Sequence, residues 1–216
     1  MKGKVVVLIL IIILEGTFFT STCDAFQGPY AGINGQAVFV NDVELDVDDI
    51  TFAPGFGGGV EGGYDFGLHR LEGEVAYRNN SVDQVKIASL GRGSIDGKGD
   101  ISLTSLMLNL YLDFDNETKF IPYAGLGIGI ANVSFNNIGA SGIELLDDDS
   151  SKLAAQVTLG IGYIVSDFLI IDLGYRYFST DEMDFVDDFG HKVGEERYDS
   201  HNIMIGFRIN VKSFKF

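Results

Sequence analysis

The feature that most constrains this chain is an alternation, at every second residue, between bulky apolar side chains and small or polar ones. It recurs in eight segments, at residues 29–40, 55–66, 70–78, 101–113, 120–133, 152–165, 168–178 and 200–211. Because successive side chains of a β-strand point to opposite faces, each segment is predicted to be a strand with one apolar face. No stretch beyond the N-terminal residues shows a helical period, so the sequence predicts an all-β protein.

The face opposite the apolar one is unusually rich in glycine. Segment 120–133 shows the two faces clearly: Ala124, Leu126, Ile128 and Ile130 alternate with Tyr123, Gly125, Gly127 and Gly129. Glycine weakens strands, so a soluble β-sandwich would have no reason to concentrate it on the solvent-exposed face of its sheets. In a small membrane barrel the apolar face contacts lipid, and the other face fills a narrow lumen. The pattern therefore favours an eight-stranded antiparallel up-and-down transmembrane β-barrel.

The connections between the segments alternate in length. Long connections at 41–54, 79–100, 134–151 and 179–199 alternate with short ones at 67–69, 114–119 and 166–167. Outer-membrane barrels have short periplasmic turns and longer outer loops, so we expect the long connections to face the outside. An even number of strands places both ends of the barrel on the periplasmic side.

One glycine-rich stretch, residues 55–67, matches a nucleotide-binding spacing, Gly57-x-Gly59-x-x-Gly62. That fingerprint requires a helix directly after the glycines, because the helix N-terminus holds the phosphates. Here the alternating segment 70–78 follows instead. We interpret the stretch as half of a β-hairpin and predict no cofactor.

The first 25 residues have the layout of a secretory signal peptide. Lys2 and Lys4 precede the apolar run 5–14, and small residues lie near Ala25. Ten apolar residues are too few to span a bilayer. We expect cleavage after Ala25 and one barrel domain over residues 26–216. An uncleaved anchor helix and acylation at Cys23 are the alternatives.

Four stretches give the chain its resemblance to a known group: "PYAGLGIGIANV", "RLEGEVAYR", "LIIDLGYRYF" and "HNIMIGFRINV" followed by "KSFKF". They resemble the small eight-stranded outer-membrane barrels, including the OmpA transmembrane-domain-like, Opa-like and surface-antigen barrels. The aromatic C-terminus, with Gly206, Ile209 and Val211 ahead of Phe216, is similar to the signal that the barrel-assembly machinery reads. The resemblance covers residues 28–216 and implies an outer-membrane location in a porin-like protein, an adhesin or an immune target.

Charged residues on the glycine-rich face are the first candidate site. The negative ones are Glu61, Glu72, Glu74 and Asp172, and the positive ones are Arg70, Arg78, Arg176 and Arg208. Ionisable groups at membrane depth are unfavourable unless paired, so these groups should form a network across the lumen. The OmpA resemblance implies a salt-bridge gate in a narrow pore, whereas a structural plug fits an eight-stranded interior better. Tyr30 and Tyr123 are predicted to fill the lower lumen.

Acidic outer loops are the second candidate. They include Asp46, Asp48, Asp49, Asp147, Asp148, Asp149, Asp187 and Asp188. No loop has the ligand spacing of a dedicated calcium site, so we predict no metal. We interpret the carboxylates as a solvated surface that attracts partners. The formal net charge of −16 argues against a nucleic-acid partner, which requires clustered lysine and arginine.

We therefore expect a surface antigen or adhesin in the outer membrane, with membrane lipid, the assembly machinery and host or environmental ligands as partners. A narrow ion or small-solute channel is the alternative. A lipid-modifying enzyme is a weaker one, since His201 near the outer end of the last segment is accompanied by no recognisable catalytic motif. No catalytic residue is predicted.

Overall fold

The computed structural model describes residues 27–41, 43–44, 48–87, 93–96, 98–114, 116–140, 143–181, 183–186 and 192–211. Thirteen β-strands occur within these residues. They are β1 (Gly28–Val40), β2 (Val43–Glu44), β3 (Asp48–Phe52), β4 (Gly55–Asp65), β5 (His69–Ile87), β6 (Gly93–Asp96), β7 (Lys98–Asp113), β8 (Phe120–Ala140), β9 (Ile143–Ser166), β10 (Leu169–Thr180), β11 (Met183–Val186), β12 (Lys192–Glu196) and β13 (Asp199–Asn210).

Eight of the described strands close into a barrel in which every neighbour is antiparallel. Around the ring the order is β1, β4, β5, β7, β8, β9, β10 and β13, and β13 pairs with β1 again. Closure from Tyr30↔Asn210 to Val40↔Ser200 joins the first long strand to the last. Closure leaves no unpaired edge within the barrel wall, which is a requirement inside a bilayer. The predicted eight-stranded barrel is confirmed.

The two faces of the strands point as the alternation predicts. On β7, Leu106, Leu108 and Leu110 are exposed on the outer wall, whereas Met107 and Asn109 are buried in the interior. The same division holds on β13, where Ile203 and Ile205 face outwards. An apolar outer wall with a polar interior is the arrangement of a barrel surrounded by lipid.

The short connections on one side of the barrel are confirmed as turns. The first joins β4 to β5 through residues 66–68, where Gly67 has a φ of +99° and donates its N–H to Asp65 Oδ1 at 2.7 Å. A left-handed φ favours glycine because an L side chain is strained there. The other two connections, from β7 to β8 and from β9 to β10, span 114–119 and 167–168.

Two of the predicted outer loops are wrong in their extent. The connection predicted over 79–100 begins as a continuation of β5 to Ile87, and the one predicted over 134–151 is mostly the paired upper ends of β8 and β9. β9 has 24 residues, which is about 80 Å of strand at about 3.3 Å per residue. An apolar band about 25 Å tall, crossed at a tilt of about 40°, needs only about 33 Å of it. The strands continue where no lipid imposes an alternating pattern, so the sequence gives no sign of them.

Short strands extend this projecting region. β3 and β6 pair with opposite sides of the upper part of β5, and β2 pairs with β3. β11 and β12 form a separate hairpin before the last barrel strand. Across the described ranges, no helix is long and apolar enough to cross a membrane.

Several of the predicted features lie outside the described residues. These are the signal segment 1–25, the loop carboxylates Asp46, Asp187 and Asp188, and the terminal Phe216. Of the other acidic residues, Asp48 and Asp49 lie in β3, and Asp147, Asp148 and Asp149 lie in β9. These five therefore belong to strands, and their prediction as loop residues is wrong.

Candidate functional site

The charged residues singled out in the sequence lie together inside the barrel. Arg70, Arg78, Arg176 and Arg208 are at most 2% exposed, and Glu72, Glu74 and Asp172 are also buried. Glu61 is half-buried and accepts a hydrogen bond at 2.9 Å from the Asn34 side-chain amide. All eight side chains lie on the interior face of their strands, and the alternate residues of the same strands face lipid. The pleat of the strands therefore directs the charged side chains into the lumen.

A carboxylate in the middle of the lumen ties four strands together. Glu74 on β5 pairs with Arg176 on β10, with 2.7 Å between Oε1 and Nη1. Its second oxygen accepts hydrogen bonds from the amides of Asn109 on β7 at 3.1 Å and Gln156 on β9 at 3.3 Å. Gln156 also donates to Asn109 Oδ1 at 2.7 Å. Because the pair is buried and its carboxylate is fully bonded, this cluster holds opposite walls of the barrel together.

Two more ion pairs lie closer to the short turns. Arg208 contacts Asp172 through two hydrogen bonds, at 2.6 and 2.9 Å. Arg70 donates to Asp113 at 2.6 Å and lies 4.0 Å from Glu72. Asp113 was not among the predicted charges of the lumen, although its position on the same parity as Asn109 in β7 was a usable signal.

Three tyrosines surround the Arg70 guanidinium. Its central carbon lies 5.9, 4.5 and 5.1 Å from the ring centroids of Tyr30, Tyr111 and Tyr123. Tyr30 also donates its hydroxyl to Glu72 at 2.8 Å. Tyr30 packs in an apolar cluster with Ile121 and Ile170, both near the short-turn ends of their strands. Cation–π contacts and this cluster fill the lower lumen with side chains.

Little space remains between these groups. The cavity bounded by Glu61, Arg70, Asp172, Arg176 and Arg208 has a volume of about 20 Å³. That is room for about one water molecule. The lower and middle lumen is therefore a packed interior and not an open channel.

The outer end of the lumen combines buried apolar side chains with the buried polar side chains of Asn80, Ser200 and Asn202. The sequence analysis missed the apolar part. Interior positions near the outer ends of the strands carry Val38, Leu103, Val133 and Phe178, all at most 1% exposed. The Arg78 guanidinium lies over the Phe178 ring, 4.3 Å from its centroid, and donates to Ser105 Oγ at 3.1 Å. The signal was available in runs such as 37–40, where both parities are apolar.

His201, the residue of the weaker enzymatic alternative, lies on the outer wall. Its Nδ1 shares a hydrogen bond of 2.6 Å with the Tyr175 hydroxyl, and its ring lies 5.3 Å from that of Tyr177. Amphipathic rings at this height are typical of the aromatic girdles of membrane barrels. Within the described residues, no group of three His, Cys, Asp or Glu side chains is arranged to hold a metal ion.

A closed eight-stranded barrel with an apolar outer wall and a lumen filled by its own side chains defines a small bacterial outer-membrane barrel. The family described as "Outer membrane protein beta-barrel domain" matches residues 13–210. The chain belongs to this family and is an outer-membrane protein.

Two relatives are similar in sequence. Outer membrane protein PagN of Salmonella typhimurium is 32% identical over 171 residues, which cover 70% of this chain and 71% of PagN. A Rickettsia bellii protein named "Putative adhesin A1I_01215" is 34% identical over 138 residues, covering 58% of this chain and 60% of that protein. This chain therefore spans less than two thirds of the rickettsial relative.

Two solved structures share the fold. Neisserial surface protein A superimposes with a TM-score of 0.57 at 19% identity, covering 85% of this chain and 97% of that one. OprG of Pseudomonas aeruginosa has a TM-score of 0.58 at 20% identity, with coverages of 85% and 96%. At these identities the likeness concerns the fold alone.

Proposed function

We infer that this protein is a surface adhesin whose binding region is the part of the barrel that projects from the membrane. The observation that carries this inference is the packed lumen: among the described residues, a cavity of about 20 Å³ and an outer end filled with buried side chains leave little room for a solute. By contrast, β5, β8 and β9 continue well beyond the apolar band. Function is therefore expected on this projecting region.

The relatives and the charge support the same inference. The rickettsial relative carries the name "Putative adhesin A1I_01215". The net charge of −16 and the acidic residues of β3 and β9 favour a partner with a positively charged surface. We therefore assign this protein a binding role.

The experiment is a gain-of-adhesion assay. The protein is expressed in a non-adherent Gram-negative host, and bacteria bound to epithelial cells and to immobilised extracellular-matrix proteins are counted. We expect a severalfold increase over cells that carry an empty vector. A variant in which residues 183–196 are replaced by a glycine-serine linker tests the outer hairpin, and its heat-dependent gel mobility verifies that the barrel is folded. Counts equal to those of the empty vector on every surface would refute the adhesin assignment.

Export and assembly are a separate part of the proposal. Residues 1–25 act as the signal peptide, residues 26–216 form the mature domain, and Gly206, Ile209, Val211 and Phe216 form the assembly signal. Ile209 and Val211 are exposed on the outer wall, as lipid-facing residues of a last strand should be. Deleting Phe216 should lower the amount of folded protein in outer membranes, measured by gel mobility. Undiminished folding would contradict this role.

A further inference from the structure

Among the described strands, the upper part of β9 pairs with a neighbour on only one side. On the β8 side, pairing continues from Phe120↔Tyr163 to Ala140↔Ile143. On the β10 side, pairing stops at Thr180↔Ala154, with one last hydrogen bond from the Asp181 N–H to the Leu153 carbonyl at 2.8 Å. Among the described strands, none pairs with β9 on this side between residues 143 and 152.

The direction of the unpaired backbone groups follows from the last hydrogen bond. The N–H and C=O of one residue in an antiparallel strand point to the same side, and the side alternates along the strand. Because the Leu153 carbonyl points to β10, the N–H and C=O of Ser151 and Asp149 also point to that side. These groups point away from β8, to the side on which no described strand pairs with them. Leu153 is exposed on the lipid-facing wall, so this edge rises directly from the apolar band.

An unpaired strand edge is a template for another strand, and proteins that keep one exposed usually guard it with charge. Here Asp147, Asp148 and Asp149 lie on the edge strand itself. Two copies paired along this edge would place six aspartates on adjacent strands, so the charge opposes self-association. The same charge favours an extended segment that carries lysine or arginine.

We propose that the outer edge of β9, from Ile143 to Lys152, binds an extended, basic segment of a partner protein as an added antiparallel or parallel β-strand. Main-chain hydrogen bonds supply affinity in this mode of recognition, and the side chains of the added strand supply selectivity. The inference rests on the proposed adhesive function and names the recognition element within it. The edge spans ten residues, residues 143–152, which is longer than the most common strand length of about five or six residues.

The first test uses the full protein in detergent micelles and a ten-residue probe peptide that alternates lysine and valine. One analogue is N-methylated on every second residue, which blocks one edge of the peptide, and another is N-methylated on both edges. An added strand needs only one edge, so we expect the first analogue to bind like the parent. The second should bind about tenfold more weakly or worse. Equal binding by all three peptides means attraction by charge alone and would overturn the proposal, as would no binding of the parent peptide.

The second test changes the protein. Ser151→Pro removes an N–H that points away from β8, so the barrel pairing is retained. The matched control is Ser151→Ala, which changes the same side chain and keeps the N–H, and folding of both variants is checked by gel mobility. Should Ser151→Pro fail to fold, Asp149→Pro replaces it. We expect Ser151→Pro to lose peptide binding, and unchanged binding would refute the edge as the site.

The same variants separate this proposal from the adhesin assignment. If Ser151→Pro lowers peptide binding and adhesion together, both stand. If wild-type bacteria adhere and Ser151→Pro bacteria adhere equally, adhesion stands and the edge is not its recognition element. If the peptide binds but wild-type bacteria do not adhere to any surface, the edge binds strands and the adhesin assignment is wrong.

Discussion

At the scale of single residues, the lumen is held by charges whose partners lie far apart in the chain. Glu74 and Arg176 are separated by 102 positions, and Arg70 and Asp113 by 43. The inward direction of these residues could be predicted from the alternation, because a strand has only two faces. Which charge meets which could not, because that depends on the stagger between strands on opposite walls.

The Glu74–Arg176 pair gives a prediction for stability. Glu74→Gln leaves the buried Arg176 without a charge partner and should lower the free energy of unfolding by about 3–5 kcal/mol. The double variant Glu74→Gln/Arg176→Gln should lose less free energy of unfolding than the sum of the losses in the two single variants. The reason is that each single variant leaves one buried charge without its partner. Urea titration in lipid vesicles, read from the folded and unfolded gel bands, measures all three. Additive effects would mean that the pair does not couple the two walls.

The interior glycines make a second prediction at this scale. A Cβ atom at Gly125 would overlap the Tyr111 ring, whereas one at Gly35 would meet nothing within 4 Å. Gly125→Val should therefore destabilise the barrel by about 1–3 kcal/mol through overpacking. Gly35→Val, the control on the outer wall, should leave the urea midpoint unchanged or raise it, since valine favours strands. Equal midpoints for the two variants would show that the tyrosine packing tolerates a larger neighbour.

At the scale of the strands, contact with lipid determines where the alternating sequence pattern occurs. Within the apolar band each strand must alternate, and all eight were predicted there. Beyond it no lipid selects for an apolar face, so the upper parts of β5, β8 and β9 carry no period that marks them as strands. Prediction of the fold was therefore good inside the membrane and poor outside it, which is also where the proposed binding edge lies.

The same reasoning predicts how one strand responds to charge at different heights. Leu108 and Thr104 both face outwards on β7, and Thr104 is four residues nearer the outer end. Leu108→Arg should destabilise the barrel by about 2–4 kcal/mol at mid-membrane, and Thr104→Arg by about 0–1 kcal/mol near the boundary. Leu159→Arg on β9 should behave like Leu108→Arg. Folded yield in outer membranes and urea midpoints provide the measurement, and a normal Leu108→Arg barrel would contradict the assignment of the lipid-facing wall.

At the scale of the whole molecule, the barrel is closed at three levels. An apolar cluster around Tyr30 fills the lower end, ion pairs fill the middle, and Val38, Leu103, Val133 and Phe178 occupy the outer end. Removing one ion pair opens only the middle level, so the arrangement fits a plug better than a gate.

This closure predicts the outcome of an electrical measurement. Refolded wild-type protein in a planar bilayer should show no discrete conductance steps, and Arg176→Ala should be equally silent because the buried side chains of the outer and lower ends remain in place. A porin added to the same bilayer establishes that openings would be detected, and gel mobility establishes that the reconstituted barrel is folded. Unitary openings that change with Arg176→Ala would instead make the charges of the lumen a gate, and the narrow channel would replace the adhesin as the function of this fold.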